Sequence, residues 1–133
     1  MPYVRIALAA GKPPAWLSSI SASLQQALEE SFEVPAGDCF QVFQQCQAGE
    51  LVFDRDYFSG GRSDDFILFH ITAGRPRSAA CKRAFFARLA ERLAASPGLR
   101  QEDIMVVITT TELEDWSFGN GKSALPDHSF SHR

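Results

Sequence analysis

The sequence predicts an α+β fold: duplicated β-α-β units that join into one four-stranded sheet, with two helices on one face. Three observations carry that expectation. Residues 3–8 alternate apolar and polar side chains with period two, two later stretches place apolar residues at helical spacing, and the order strand, helix, strand occurs twice with an offset of about 63 to 65 residues. With 133 residues, 45% hydrophobic and 22% charged, the composition suits one ordinary globular domain, taken as residues 1–133.

In the first unit Val4, Ile6 and Leu8 alternate with Tyr3, Arg5 and Ala7, so Pro2 opens a strand. Residues from Gly11 to Pro14 interrupt it, and Leu17, Ile20, Leu24, Ala27 and Leu28 then follow the period of a helix that ends near Phe32. Val34-Pro35-Ala36-Gly37-Asp38 reads as a turn. After it, Phe40, Val42, Gln44 and Cys46 alternate with Gln41, Phe43 and Gln45 as a second strand. Residues 47–64 contain Gly49, Gly60 and Gly61 and read as a connection with a short extended piece around Leu51 to Phe53.

The second unit begins with Phe66-Ile67-Leu68-Phe69-His70-Ile71, a nearly continuous apolar run that fits a strand covered on both faces and stops at Gly74 and Pro76. Ser78 starts a helix in which Cys81, Phe85, Leu89 and Leu93 recur every fourth residue, and Ser96-Pro97-Gly98 ends it. Ile104 to Thr110 is the last strand. Right-handed crossovers make the two strands of each unit parallel. The sheet face turned away from the helices needs a cover, for which further copies of the chain are expected.

A net charge of −3 and the lack of a basic stripe argue against nucleic acid as a partner. The start, Met1-Pro2-Tyr3-Val4-Arg5-Ile6, has no secretory pattern, and no apolar run approaches membrane-spanning length, so a cytoplasmic protein without membrane contact is expected. Cys39, Cys46 and Cys81 are odd in number, have no CxxC spacing and sit in apolar surroundings, as reduced structural thiols do. His70 reads as a hydrogen-bonded core histidine. His128 and His132 lie in a polar tail without matching ligands, so no metal site is expected, and no glycine-rich phosphate loop or other cofactor motif is present.

Several residues carry candidate chemistry. Removal of Met1 would leave Pro2 with a free secondary amine, and an α-amino group titrating near about 8 can act as acid or base near neutrality. Arg75-Pro76-Arg77 sets two guanidinium groups around a rigid residue at a helix start, a pattern suited to gripping a carboxylate, and cations there oppose the helix macrodipole. Asp38 closes a turn, where a carboxylate ordinarily bonds local amides; beside Pro2 it would favour the protonated amine. Trp116 and Phe118 could wall a pocket for a small substrate or pack a subunit contact.

Together these features resemble the tautomerase superfamily, whose members use an amino-terminal proline on a duplicated β-α-β, MIF-like fold and usually assemble as trimers. The resemblance spans nearly the whole chain. It narrows to the malonate semialdehyde decarboxylase branch through Pro2, Val34-Pro35-Ala36-Gly37-Asp38, Gly49-Glu50-Leu51-Val52, Gly61-Arg62-Ser63, Arg75-Pro76-Arg77-Ser78 and Asp115-Trp116-Ser117-Phe118-Gly119. It implies a catalytic set of Pro2, Asp38, Arg75 and Arg77, a substrate-binding pair of Trp116 and Phe118, a homotrimer, and no cofactor. The implied activity is decarboxylation of malonate semialdehyde or a similar 3-oxo acid. Keto–enol tautomerisation of 2-oxo acids such as phenylpyruvate, and hydration or dehalogenation of small unsaturated acids, use the same residues. A small-acid-binding oligomer without turnover is the non-enzymatic alternative.

Overall fold

The computed structural model describes residues 1–126. The elements run β1 (Pro2–Ala9), α1 (Pro14–Ser31), β2 (Gln41–Cys46), β3 (Ile67–Ala73), α2 (Ala79–Ala95) and β4 (Ile104–Thr110), with short 3-10 turns at Gln101–Asp103 and Leu113–Asp115. The sheet order is β2-β1-β3-β4. β1 is parallel to β2 and β3 to β4, while the two units meet through an antiparallel β1–β3 pair in the middle. The duplicated β-α-β reading is therefore the observed architecture.

Local sequence explains where the helices begin. Pro14 occupies the first turn of α1, where a missing N–H costs no helical hydrogen bond. Ser78 caps α2, its side chain accepting from the Cys81 amide at 3.0 Å. Val4, Ile6 and Leu8 from β1 and Ile67, Phe69 and Ile71 from β3 form the buried sheet face. Against it pack Ile20, Leu24 and Leu28 of α1 and Phe85, Leu89 and Leu93 of α2. Between the helices, Arg88 donates to Glu30 at 2.6 Å, and Arg92 donates through Nε and Nη2 at 2.9 and 2.8 Å. Glu30 is thus shared by two arginines one turn apart.

The opposite sheet face corrects two expectations. β3 is covered on one face only within the chain: Leu68 and Thr72 are half-buried and His70 is exposed. His70 is hydrogen-bonded as expected, Nε2 lying 3.0 Å from Thr109 Oγ1, but it stands on the open face rather than in the core. Strict alternation in β3 explains this, since the neighbours of Phe69 must point away from the helices. Val42, Met105 and Val107 share that open face and are nearly half exposed.

Residues 47–64 pair with no strand; they form a connection held within itself, Asp54 Oδ1 accepting from the Asp56 and Tyr57 amides and Arg55 donating to Asp64, and also from outside. The backbone N–H and the hydroxyl of Ser63 both donate to Asp103 at 2.6 Å, and Asp103 is 0% exposed. Phe53 stacks on Phe66 with ring centroids 4.3 Å apart. The cysteines are all free, but only Cys46 is buried; Cys39 is exposed and Cys81 intermediate, because the loop before β2 leaves Cys39 outside the ladder. No helix among the described residues is long and apolar enough to cross a membrane. His128 and His132 lie outside the described residues.

The shared ion pair makes a pH prediction. The hydrogen bonds from Arg92 and then Arg88 hold the Glu30 carboxyl at about 2, below its ordinary 4.5. A depressed folded-state pKa stabilises the protein above the unfolded value, and that contribution fades as pH falls from about 4.5 through 2. In urea titrations the stability difference between wild type and Glu30→Gln should therefore be fully developed at pH 6 and should shrink steadily below pH 4.5. A difference that stays constant to pH 2.5 would refute the assignment.

Candidate active site

β1 and β2 run one way and β3 and β4 the other. The starts of the first two and the ends of the last two therefore share one end of the sheet. That end gathers Pro2, Asp38, the Arg75-Pro76-Arg77 segment and the chain that follows Thr110. Pro2 sits opposite Ala73 in the central antiparallel pair, which brings the N-terminus to the strand leading into the two arginines.

Asp38 reaches the N-terminus directly. The Met1 ammonium lies 2.8 Å from Asp38 Oδ2, and the aspartate side chain is 17% exposed. Its backbone N–H donates to Pro35 at 3.2 Å, closing the expected turn, but its carboxylate is turned to the chain terminus. From α1, Gln25 Nε2 donates to the Asp38 carbonyl at 3.1 Å, so the helix fixes the loop that carries the carboxylate. Met1 O accepts from the Gly74 amide at 3.0 Å. A Cβ at Gly74 would lie 3.0 Å from Met1 Cε and 3.3 Å from Met1 O, tighter than ordinary contact, so a larger residue there would press on Met1.

The two arginines are not equivalent. Arg77 is 8% exposed; its Nε donates to Phe32 O at 3.0 Å and its Nη1 to Arg75 O at 3.1 Å. Its guanidinium lies 4.3 Å from the centre of the Phe32 ring, and its Nη2 is buried without a partner. The side chain therefore turns away from the start of α2 and onto the carbonyl end of α1, where the helix dipole favours a cation. Burial, followed by the like charge of Arg75, lowers its pKa from the usual arginine value, while Glu33, Cys81 and Asp38 oppose that shift. Arg75 is exposed and pairs with Glu33 at 3.0 Å.

The aromatic residues form a row. Trp116 stacks on Phe118 with centroids 5.5 Å apart, and Phe118 meets Phe40 at 6.1 Å. Trp116 Nε1 donates to Thr111 Oγ1 at 2.7 Å, and that hydroxyl donates to Ala73 O at 2.7 Å. Phe40 precedes one edge strand and Phe118 follows the other, so the row crosses the end of the sheet where Pro2 lies.

Pattern reading did not single out Phe32, Glu33, Gln25 or Thr111, which orient the other residues. The available signal was weak: a glutamate directly after the apolar residue that caps α1, and a threonine just past the end of β4. Concavities elsewhere are roomier than chemically furnished. A cavity of ≈ 400 Å³ lies at the opposite end of β1, lined by Ala9, Cys46, Leu51 and the Arg55–Asp64 ion pair, away from the converging groups. The described residues contain no cluster of three or more histidine, cysteine or carboxylate groups able to hold a metal ion.

Comparison with known proteins bears on this end of the sheet. The profile of the family described as "Tautomerase enzyme" matches residues 38–119. The chain is 34% identical over 125 residues to the probable tautomerase YusQ of Bacillus subtilis (strain 168), covering 94% of this chain and 98% of that protein. A crystal structure of malonate semialdehyde decarboxylase superposes with a TM-score of 0.85 at 30% identity, over 90% of this chain and 92% of that one. A fused 4-OT symmetric trimer shares the fold at TM-score 0.75 and 20% identity, over 92% and 96% of the two chains.

The unequal seating of the arginines predicts unequal costs. Arg77→Ala leaves the Phe32 carbonyl without its charged donor and should destabilise the fold by about 1–3 kcal/mol. Arg75→Ala removes an exposed ion pair and should cost no more than about 1 kcal/mol. Urea denaturation of the two variants measures the difference; equal losses would contradict the geometry.

Proposed function

We propose that this chain, which belongs to the tautomerase family, is an enzyme that acts on a small oxo acid through the secondary amine of Pro2, exposed by removal of Met1. The preferred reaction is decarboxylation of malonate semialdehyde or a similar 3-oxo acid. The observation that carries the proposal is the carboxylate of Asp38 held 2.8 Å from the Met1 ammonium, one residue from the Pro2 nitrogen that would become the terminus once Met1 is removed. A carboxylate that stays close to the new terminus would favour a cationic amine, and a cationic proline serves as an electrophile toward a carbonyl oxygen.

Met1 indicates how a substrate would sit. Its acyl carbon is bonded to the Pro2 nitrogen while its oxygen accepts from the Gly74 amide at 3.0 Å. In the processed enzyme the substrate carbonyl takes that place, with Gly74 N–H and the Pro2 ammonium as donors to its oxygen. The free carboxylate meets Arg75 and the unpartnered Nη2 of Arg77. The bond between the carboxylate and the adjacent carbon then breaks. Carbon dioxide leaves, the electron pair moves toward the carbonyl oxygen as an enolate, and a proton delivered to the carbon gives the aldehyde or ketone. Trp116 and Phe118 limit solvation of the departing carboxylate, which favours neutral carbon dioxide.

A second reading is keto–enol tautomerisation of a 2-oxo acid, in which neutral Pro2 removes a proton beside the carbonyl and returns it elsewhere. Its support is the description of the relative YusQ as a probable tautomerase. Hydration has support in the solved malonate semialdehyde decarboxylase, described as having decarboxylase and hydratase activities. A homotrimer is the proposed assembly: the half-exposed Val42, Met105 and Val107 on the open sheet face would be covered there, as the fused 4-OT trimer suggests.

On protein whose processed N-terminus is verified by mass spectrometry, Pro2→Ala should lower turnover of the best substrate among malonate semialdehyde, phenylpyruvate and halogenated acrylates by about 100-fold or more, the scale of a lost acid–base group. Retention of full activity would exclude the amine. Titration of a nitrogen-15-labelled Pro2 by NMR separates the readings. A proline that stays protonated above pH 8 supports decarboxylation, and one that is neutral at pH 7 supports tautomerisation.

A further inference from the structure

We propose that Glu33 is a specificity-determining residue of the same site, an internal carboxylate that holds Arg75 until a substrate carboxylate replaces it. The inference rests on the reading of Arg75 and Arg77 as a carboxylate clasp. Its starting point is the unsuitability of glutamate at this position. Glu33 has φ 56°, a left-handed backbone conformation that favours glycine or asparagine. It also lies just beyond the carbonyl end of α1, where the helix dipole disfavours an anion. A strained residue beside converging functional groups points to a role for its side chain.

The partner of that side chain is a candidate substrate group. Glu33 Oε1 lies 3.0 Å from Arg75 Nη2, with the two side chains 59% and 54% exposed. An ion pair so open to water is weak and exchangeable. Beside it, Arg77 is fixed through Nε and Nη1 and keeps a buried Nη2 without an acceptor. The charges of Arg75 and Glu33 both act on Arg77, so the three groups share one electrostatic environment.

Adjacent residues of one turn therefore seat the two arginines in opposite ways. The Phe32 carbonyl pins Arg77 permanently, whereas the Glu33 carboxylate occupies Arg75 reversibly. An anion that touches Arg75 alone exchanges one weak contact for another and gains little. A carboxylate that reaches both Arg75 and the free Nη2 of Arg77 gains a buried, charge-assisted hydrogen bond that Glu33 does not make. Glu33 thus raises the threshold for binding and selects ligands that bridge the two arginines.

Isothermal titration calorimetry with malonate, an unreactive three-carbon dicarboxylate, tests the inference on wild type, Glu33→Gln, Arg75→Ala and the double variant. Release of Arg75 should tighten malonate binding about two- to fivefold in Glu33→Gln, the range expected for loss of an exposed competing pair. Glu33→Asn, which suits the left-handed backbone, should act in the same direction. Neither gain should survive in the Arg75→Ala background. Malonate affinity that depends on Arg75 but is indifferent to Glu33→Gln overturns the inference while leaving the clasp intact. An equal gain with and without Arg75 also overturns it, because that result marks a general charge effect. Failure of Arg75→Ala to weaken malonate binding in either background removes the clasp and the inference together.

Discussion

The antiparallel contact between β1 and β3 is the constraint on which the remaining geometry depends. Each β-α-β unit alone would be a parallel pair with one helix that carries only part of the site, Pro2 and Asp38 at the strand starts of the first, and Arg75, Arg77, Trp116 and Phe118 beyond the strand ends of the second. Joining the units head to tail reverses the second, and Pro2 comes to lie opposite Ala73. From that register the rest follows. The loop before β2 brings Asp38 to the N-terminus, the turn after β3 carries Arg75 and Arg77, and the segment after β4 places Trp116 and Phe118. A slip of one residue in this pair would turn Val4, Ile6 and Leu8 out of the core, so hydrophobic burial and site assembly enforce the same alignment.

The carbonyl end of α1 is the second point of convergence. Phe32 contributes a buried ring to the core, where it packs against Phe85 at 4.9 Å, and a carbonyl to Arg77. The guanidinium is consequently both a structural member and a candidate ligand for substrate. Three of its nitrogens divide those duties, two bound to backbone oxygens and one left free. Arg75, two residues earlier and outside Pro76, has no such anchor. The Arg-Pro-Arg sequence looks symmetric on paper, yet it yields one rigid and one adjustable cation.

Much of the fold was legible in the sequence. Period-two alternation placed β1 to within a residue at each end, the expected last strand at Ile104 to Thr110 coincides with β4, and the fourfold spacing of Phe85, Leu89 and Leu93 identified the buried stripe of α2. Arg75 and Arg77 drew attention because cations at a helix start oppose the macrodipole, whereas Asp38 had an ordinary role in its turn and gained interest only through its possible closeness to Pro2. The orienting residues escaped notice because their roles depend on distant partners: Gln25 acts on a carbonyl thirteen residues away, and Thr111 acts between Ala73 and Trp116. No local pattern encodes such contacts. His70 was misjudged for a related reason, since an apolar run conceals which of its members face each side. Residues 47–64 were opaque because their order comes from irregular side-chain bonds, some within the segment and some to Asp103 and Phe66 outside it, that leave no periodic pattern.

The reversed duplication also has an arithmetical consequence. A strand order of β2-β1-β3-β4 with opposed halves relates the two ends of the sheet by an approximate twofold axis, so the far end is a counterpart of the site. It even offers a hollow of its own, of ≈ 400 Å³. Yet β3, the counterpart of β1, starts in mid-chain, and its first nitrogen is locked in a peptide bond with no basic lone pair. Under the proposed chemistry, a symmetric scaffold becomes a one-sided enzyme because a polypeptide has a single amino terminus to spend on two equivalent ends.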